Sequence, residues 1–312
     1  MRVFTDERCL GHRLEGFPER PERLAGILER LRRRGDEIVE AGDHPDAASA
    51  VEAVHDPAYV ARFGRAAARG DGLLDSADNP LAPGTWEAAW GAVAATLHAA
   101  DWLGGGTGRP AFAAVRPPGH HAERGLAMGF CFFNNVAVAA ERLRRAPGCE
   151  RVAIFDFDVH HGNGTQHLFE ARPDVFYAST HQYPFYPGTG AADERGVGAG
   201  EGATLNVPLP AGTDDDGYRA AIEERILPAL RAFRPQVLLL SAGFDAWQRD
   251  PLGGMRVSRQ GFAAWGHALG ELARQLCGGR ILAVLEGGYD LAALPALVEA
   301  HLEGLEAGGA GD

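Results

Sequence analysis

One stretch concentrates more chemistry than any other: Val152-Ala-Ile-Phe-Asp156-Phe-Asp158-Val-His160-His161-Gly-Asn163-Gly, an apolar run that ends in alternating acids and histidine. Side chains alternate along a strand with a period of two. Asp156, Asp158 and His160 are therefore expected on one face, at the carboxyl end. Two carboxylates and an imidazole crowded together need a cation or protons to be tolerated, the bland alternative being a salt-bridged network at a strand end. A second apolar run, Leu238 onward, ends in Ser-Ala-Gly-Phe-Asp245. Two aspartates and one histidine from these segments make a three-ligand set with an open position, which suits a catalytic metal. Mixed N/O ligation favours zinc, with ferrous iron or cobalt as alternatives. Alone, Asp245 reads as a loop-capping aspartate; its case depends on the partner strand.

Two further runs end in polar turns. Val115-Arg-Pro-Pro-Gly-His120-His121 presents adjacent histidines behind two prolines and a glycine, a rigid turn that aims both rings. A histidine beside a metal serves as general base and acid because it titrates near neutrality. The pair could also supply extra ligands or be ordinary turn residues. Ile281-Leu-Ala-Val-Leu-Glu286-Gly-Gly-Tyr289 ends in a glycine turn and a tyrosine. Its hydroxyl could donate to a developing oxyanion, although a tyrosine after a turn is more often a packing residue.

These clusters need a frame that brings strand ends to one edge. Apolar runs at Val3–Thr5, Ile38–Glu40, Ala111–Val115, Val152–Asp156, Val175–Ser179, Gln236–Ser241 and Ile281–Leu285 read as strands. Several are apolar throughout, as parallel strands covered on both faces are. Helix-like segments alternate with them: Glu22–Arg34, Thr85–Leu103, Asn135–Arg145, Gly217–Arg231, Ser258–Leu276 and Leu291–Glu306. The alternation predicts one α/β domain over 1–306, a doubly wound, mainly parallel sheet with helices on both faces. Such sheets place their sites beyond the carboxyl ends of the strands. A Gly/Ala-rich tail is expected over 307–312. The long, aromatic, Gly-rich stretch from Tyr183 to Gly202 reads as a functional loop.

Composition narrows the class. The 312 residues carry a net charge of −12 and no lysine, which opposes nonspecific nucleic-acid binding. No apolar run approaches the roughly 20 residues of a spanning helix, so no membrane partner is expected. Cys9, Cys131, Cys149 and Cys277 form no CxxC pair. Reduced, buried thiols and a cytoplasmic location are the expectation. An oligomer is possible.

The motifs PERPERL, RPPGHH, GFCFFNN, DFDVHHGNGTQ, PGTG, SAGFDA, DPLGG and LEGGYD, in this order, resemble the zinc-dependent histone deacetylase superfamily, which includes bacterial acetylpolyamine amidohydrolases. The likeness runs from Pro18 to Asp290. It implies an arginase/deacetylase-like fold, one zinc per chain held by Asp158, His160 and Asp245, and a potassium ion nearby at Asp156, Asp158, His160, Ser179 and Thr180. It implies His121 as general base and acid, His120 as its electrostatic neighbour, Asp156 as the partner of His120, Asn163 as that of His121, and Tyr289 as transition-state donor. Gly129, Phe130 and Tyr186 match the walls of a channel for a lysyl stem, and Arg23 an arginine by the exit path of the released acid. The implied reaction is hydrolysis of an acylated lysine side chain in a protein or peptide. Acetylpolyamine hydrolysis is the nearest alternative. An arginase-type binuclear hydrolase and a noncatalytic binder of acyl ligands lie further off. Polyamine-selective relatives can carry a glutamate gatekeeper in the DPxG segment, where this chain has Leu252. Two departures stand out: Phe17 occupies the place of the usual histidine in HPERPER, and the His181–Pro187 loop is shorter than in the class II animal enzymes of the family.

Overall fold

The computed structural model describes residues 1–106 and 108–310. The chain runs β1 (Arg2–Thr5), α1 (Pro21–Arg34), β2 (Glu37–Glu40), α2 (Ala47–Val54), α3 (Pro57–Arg69), α4 (Thr85–Gly104), β3 (Ala111–Ala113), α5 (Asn135–Arg144), β4 (Val152–Asp156), α6 (Asn163–Phe169), β5 (Val175–Gln182) and β6 (Thr204–Leu209). It continues with α7 (Asp215–Ala221), a π-helical turn over Ile222–Ile226, α8 (Leu227–Phe233), β7 (Val237–Ala242), α9 (Arg259–Cys277), β8 (Ile281–Leu285) and α10 (Leu294–Ala310). The expected α/β alternation holds. Helix ends carry ordinary stop and start chemistry: Pro21 opens α1 and a left-handed Gly35 closes it. Ser258 caps α9 by accepting from the N–H groups of Gln260 and Gly261.

Every pairing in the eight-stranded sheet is parallel, in the order β2-β1-β3-β8-β7-β4-β5-β6. All residues of β3, β4, β5, β7 and β8 are buried, so helices cover the sheet on both faces. The four runs that end in polar clusters are β3, β8, β7 and β4, which lie side by side at the centre. Their carboxyl ends form one contiguous edge, the place where open α/β sheets bind ligands.

Several expectations need correction. The edge strand β6 and the helices α2, α3 and α6 fall where no element was expected. β6 escapes notice because its pattern mixes Thr, Asn and Pro with apolar residues. The single helix expected over Gly217–Arg231 is α7, a π-helical turn and α8, with Pro228 in the first turn of α8. The tail expected from residue 307 is helical through Ala310, as part of α10, and its last two residues lie outside those described. None of the described helices is long and apolar enough to cross a membrane.

Candidate active site and metal centre

Asp156, Asp158 and His160 do not share a strand face. β4 stops at Asp156, because the Asp156 Oδ1 captures the backbone N–H of Asp158 at 3.1 Å and Asp158 Oδ1 captures that of His160 at 2.9 Å. Aspartates that bond the backbone two residues on compete with sheet pairing and turn the chain. The outcome separates the acids. Asp156 Oδ2 faces His120 Nδ1 at 3.0 Å, whereas Asp158 turns toward His160 and Asp245.

One ligand atom from each of Asp158, His160 and Asp245 lies within 4.8 Å of the others. His160 Nδ1 sits 3.1 Å from Asp158 Oδ1 and 3.3 Å from Asp245 Oδ2. Backbone donors aim the carboxylates: Gly287 N–H on Asp158 Oδ2 at 2.8 Å and Val159 N–H on Asp245 Oδ1 at 2.8 Å. Asp245 Oδ2 is buried and has no hydrogen-bond partner. A Cβ at Gly243 would collide with the Asp158 carboxylate, and one at Gly287 with both carboxylates. A buried donor set of two carboxylates and one imidazole, with an orphaned oxygen and glycine walls, fits a divalent cation of zinc type. Without a cation, burial lowers the affinity of His160 for a proton, yet the two aspartates outweigh it and raise its pKa to about 9. The same field would draw a metal ion.

The histidine pair is polarised in opposite senses. Burial works against a charge on His120, but Asp156 and Asp158 overcome it and raise its pKa to about 10. His121 is held well below the ordinary value by burial and by the positive rings of His120 and His160. The His120 and His121 ring centroids are 4.0 Å apart. His121 Nδ1 meets Asn163 Oδ1 at 2.7 Å, and Asn163 Nδ2 donates to Glu123 Oε1 at 2.6 Å. The carboxylate can only accept, so the amide nitrogen faces it and the amide oxygen faces His121. Nδ1 of His121 therefore carries the proton and Nε2 keeps its lone pair, as a base requires.

A cavity of about 340 Å³ leads to these groups, lined by Asp78, Pro118, His120, His121, Gly129, Phe130, His160, Phe185, Tyr186, Leu252, Gly287 and Tyr289. Gly129, Phe130 and Tyr186, matched to channel walls from the sequence, are among them, as is Leu252 of the DPxG segment. Phe185 stacks on His160 at 5.3 Å, and Tyr186 meets His121 edge-on at 5.1 Å. At the mouth the Tyr186 hydroxyl donates to Asp78 Oδ2 at 2.7 Å, which also accepts from Gly129 N–H at 3.0 Å. Phe17 packs against Phe130 with centroids 5.2 Å apart, an apolar contact in place of a histidine's. Burial, with Asp245 and Asp158, pushes the Tyr289 hydroxyl well above its usual pKa against the pull of Arg23, so it remains a donor.

Arg23 does not line this cavity. Its guanidinium lies 4.7 Å from the Tyr289 ring centre, donates to the carbonyls of Glu286 and Gly288, and is paired with Glu19 at 3.0 Å. Glu19 also takes two bonds from Arg116. Ser179 and Thr180 stand on β5, Ser179 in register with Asp156; Ser179 Oγ is 2.9 Å from His181 Nδ1, and Thr180 Oγ1 is buried without a partner. Sequence reasoning missed Glu19, Asp78, Glu123, Phe185, Asp250 and the role of Glu286. Glu286 accepts from the N–H groups of Gly119 and His120, and Asp250 from those of Tyr289, Asp290 and Leu252. Burial raises both carboxyls to about 7. Glu286 and Asp250 lay inside motifs already singled out; nothing local marks Asp78 or Glu123.

The chain is similar to several known proteins. The chain is 39% identical over 298 residues to "Probable deacetylase" of Archaeoglobus fulgidus, covering 94% of this chain and 82% of that one. It is 39% identical over 304 residues to "Polyamine deacetylase HDAC10" of Homo sapiens, covering 93% of this chain and 45% of that one. The crystal structure of acetylpolyamine aminohydrolase from Burkholderia pseudomallei superposes with a TM-score of 0.88 at 31% identity, over 99% of each chain. The histone deacetylase domain model matches residues 17–305. With that match spanning nearly the whole chain and these relatives named for deacetylation, the chain belongs to the histone deacetylase family and hydrolyses amide bonds.

Proposed function

We propose that the chain removes an acyl group, acetyl in the simplest case, from the side chain of acylated lysine in a protein or peptide. The observation that carries the reading is the cavity with aromatic walls, Phe130, Phe185 and Tyr186, whose lining also includes His121, Tyr289 and His160 of the Asp158–His160–Asp245 triad. An unbranched aliphatic stem fits such walls, with its amide at the triad. Asp158, His160 and Asp245 would hold one zinc ion, which when bound acts as a Lewis acid and makes water a nucleophile near neutral pH.

The chain's own residues then move the protons. His121 Nε2 accepts the proton of the attacking water, with Asn163 holding the ring by its Nδ1–H. The Tyr289 hydroxyl donates to the oxygen that gains charge as the carbonyl becomes tetrahedral. His121 next to charged His120 is a reluctant cation, so it passes its proton on to the departing amine. His120 keeps its own proton through Asp156. Arg23, stacked on Tyr289, braces the Gly287-Gly288 turn at the inner end, where the carboxylic acid product is left. Asp156, Asp158, His160, Ser179 and Thr180 would hold a potassium ion.

Acylated polyamines are the second reading. Asp78 favours it as a carboxylate at the mouth, where a distal ammonium would arrive. Leu252 at the rim works against it, since it offers no charge. One panel decides: acyl-lysine peptides of graded acyl length beside acetylspermidine, each with and without a zinc chelator. Faster chelator-sensitive hydrolysis of the peptides supports the first reading, and of acetylspermidine the second. Absence of any turnover with tight hydroxamate binding would identify a binder instead. All four cysteines are buried and free, which suits a reducing compartment, and we place the protein in the cytoplasm.

A further inference from the structure

His121 is oriented by an amide, which brings no charge of its own to the base. The missing charge stands one bond further out. Asn163 opens α6 and His167 follows one turn later, on the same face of the helix. Glu123, two residues after His121, lies between them: its Oε1 takes a bond from Asn163 Nδ2 at 2.6 Å and faces His167 Nδ1 at 2.8 Å. The second hydrogen of the amide points to Met128 Sδ at 3.3 Å. The result is an unbroken chain from the buried base to the surface: His121, Asn163, Glu123 and then His167, which is 40% exposed.

We propose that Glu123 is a positioning residue that acts on His121 through Asn163, fixing the amide orientation and supplying the negative charge that supports His121 when it holds a proton. The proposal rests on the reading of His121 as the base. Its physics is simple. Rotated by half a turn, Asn163 would set its NH₂ group against His121 Nδ1, a state that a change of tautomer at His121 would accommodate; the carboxylate of Glu123, left facing the amide oxygen, penalises it. Bonds in series polarise one another, so a carboxylate on the amide nitrogen makes the amide oxygen a better acceptor. His167 closes the outer end of the chain. Glu123 raises its pKa by hydrogen bond and charge, with Glu170 and Glu194 adding to the effect and burial opposing it.

Three measurements on the metal-loaded enzyme test the chain link by link. First, NMR titration of His167 should show a lower midpoint in Glu123→Gln than in the wild type, whatever the activity; an unmoved midpoint overturns the proposed contact. Second, Glu123→Gln should lower kcat about 10- to 100-fold, the usual cost of losing an outer partner, with KM and zinc content unchanged. A wild-type kcat alongside a shifted His167 midpoint overturns the proposal. Third, Asn163→Asp places a carboxylate directly on His121. Adding Glu123→Gln to that variant should then cost less than twofold; the same loss as in the wild-type background would show that Glu123 does not act through residue 163. A wild-type enzyme inert toward every acylated amine would instead refute the hydrolase reading and leave the His167 result standing.

Discussion

Tyr289 shows how much a single side chain is asked to do. Its hydroxyl is kept protonated by burial and by the nearby aspartates, and its ring is braced by Arg23 and by Phe130 at 5.9 Å. Removing one oxyanion donor costs about 10²–10³ in turnover. Tyr289→Phe should therefore lose that much kcat while metal content by elemental analysis stays at one per chain; wild-type turnover would take Tyr289 out of the mechanism. Asp158 is tested by the opposite signature. Asp158→Ala leaves Asp245 and His160 without a third ligand, and the purified variant should contain almost no zinc. Full occupancy would mean that the ion is held elsewhere.

At the scale of elements, the channel is made by loops that reach across the sheet edge. The loop after β5 brings Phe185 and Tyr186, and the segment before α5 brings Gly129 and Phe130. Asp78 ties the two together, holding Gly129 N–H and the Tyr186 hydroxyl at once. Tyr186 is 39% exposed, so the bond is worth no more than an ordinary one, about 0.5–1.5 kcal/mol. Tyr186→Phe keeps the wall but opens the clasp, and KM for an acyl-lysine peptide should rise about two- to tenfold with kcat little changed. An unchanged KM would show that the rim is held without it.

The whole molecule is fastened at its centre by a buried ion cluster. Glu19 receives Arg116 from the turn after β3 and Arg23 from α1, and Arg23 in turn holds the turn that follows β8. Breaking one member of such a cluster costs about 3–5 kcal/mol, since the remaining charges stay buried. Glu19→Gln should lower Tm substantially near neutral pH. Burial would raise the Glu19 carboxyl, but Arg116 and Arg23 pull it down to about 2. A group with a folded pKa below its unfolded value contributes fully above the unfolded value and loses the contribution as pH falls. The Tm gap between wild type and Glu19→Gln should thus be widest above pH 5 and narrow steadily toward pH 3. A gap that grew on acidification would contradict the assigned charge state.

The residues of the candidate metal triad, the histidine pair and Tyr289 stand out in the sequence because each follows an apolar run with a polar group that packing does not call for, and the structure brings them together. The alternating α/β plan was legible for the same reason: buried parallel strands are continuous apolar runs, and helices between them are amphipathic. Which strands are neighbours was not. The central order β3-β8-β7-β4 follows from how helices pack over the sheet, and no local pattern records it. Nor did spacing reveal that Asp156 faces His120 and Asp158 faces His160 and Asp245, since backbone capture by the aspartates breaks the strand period that the sequence suggests. Glu19, Asp78 and Glu123 came to light only with the tertiary structure. Each has at least one partner 40 or more residues away, Arg116 for Glu19, Tyr186 for Asp78 and Asn163 for Glu123, and an acidic side chain looks alike in sequence whether water or a buried arginine awaits it.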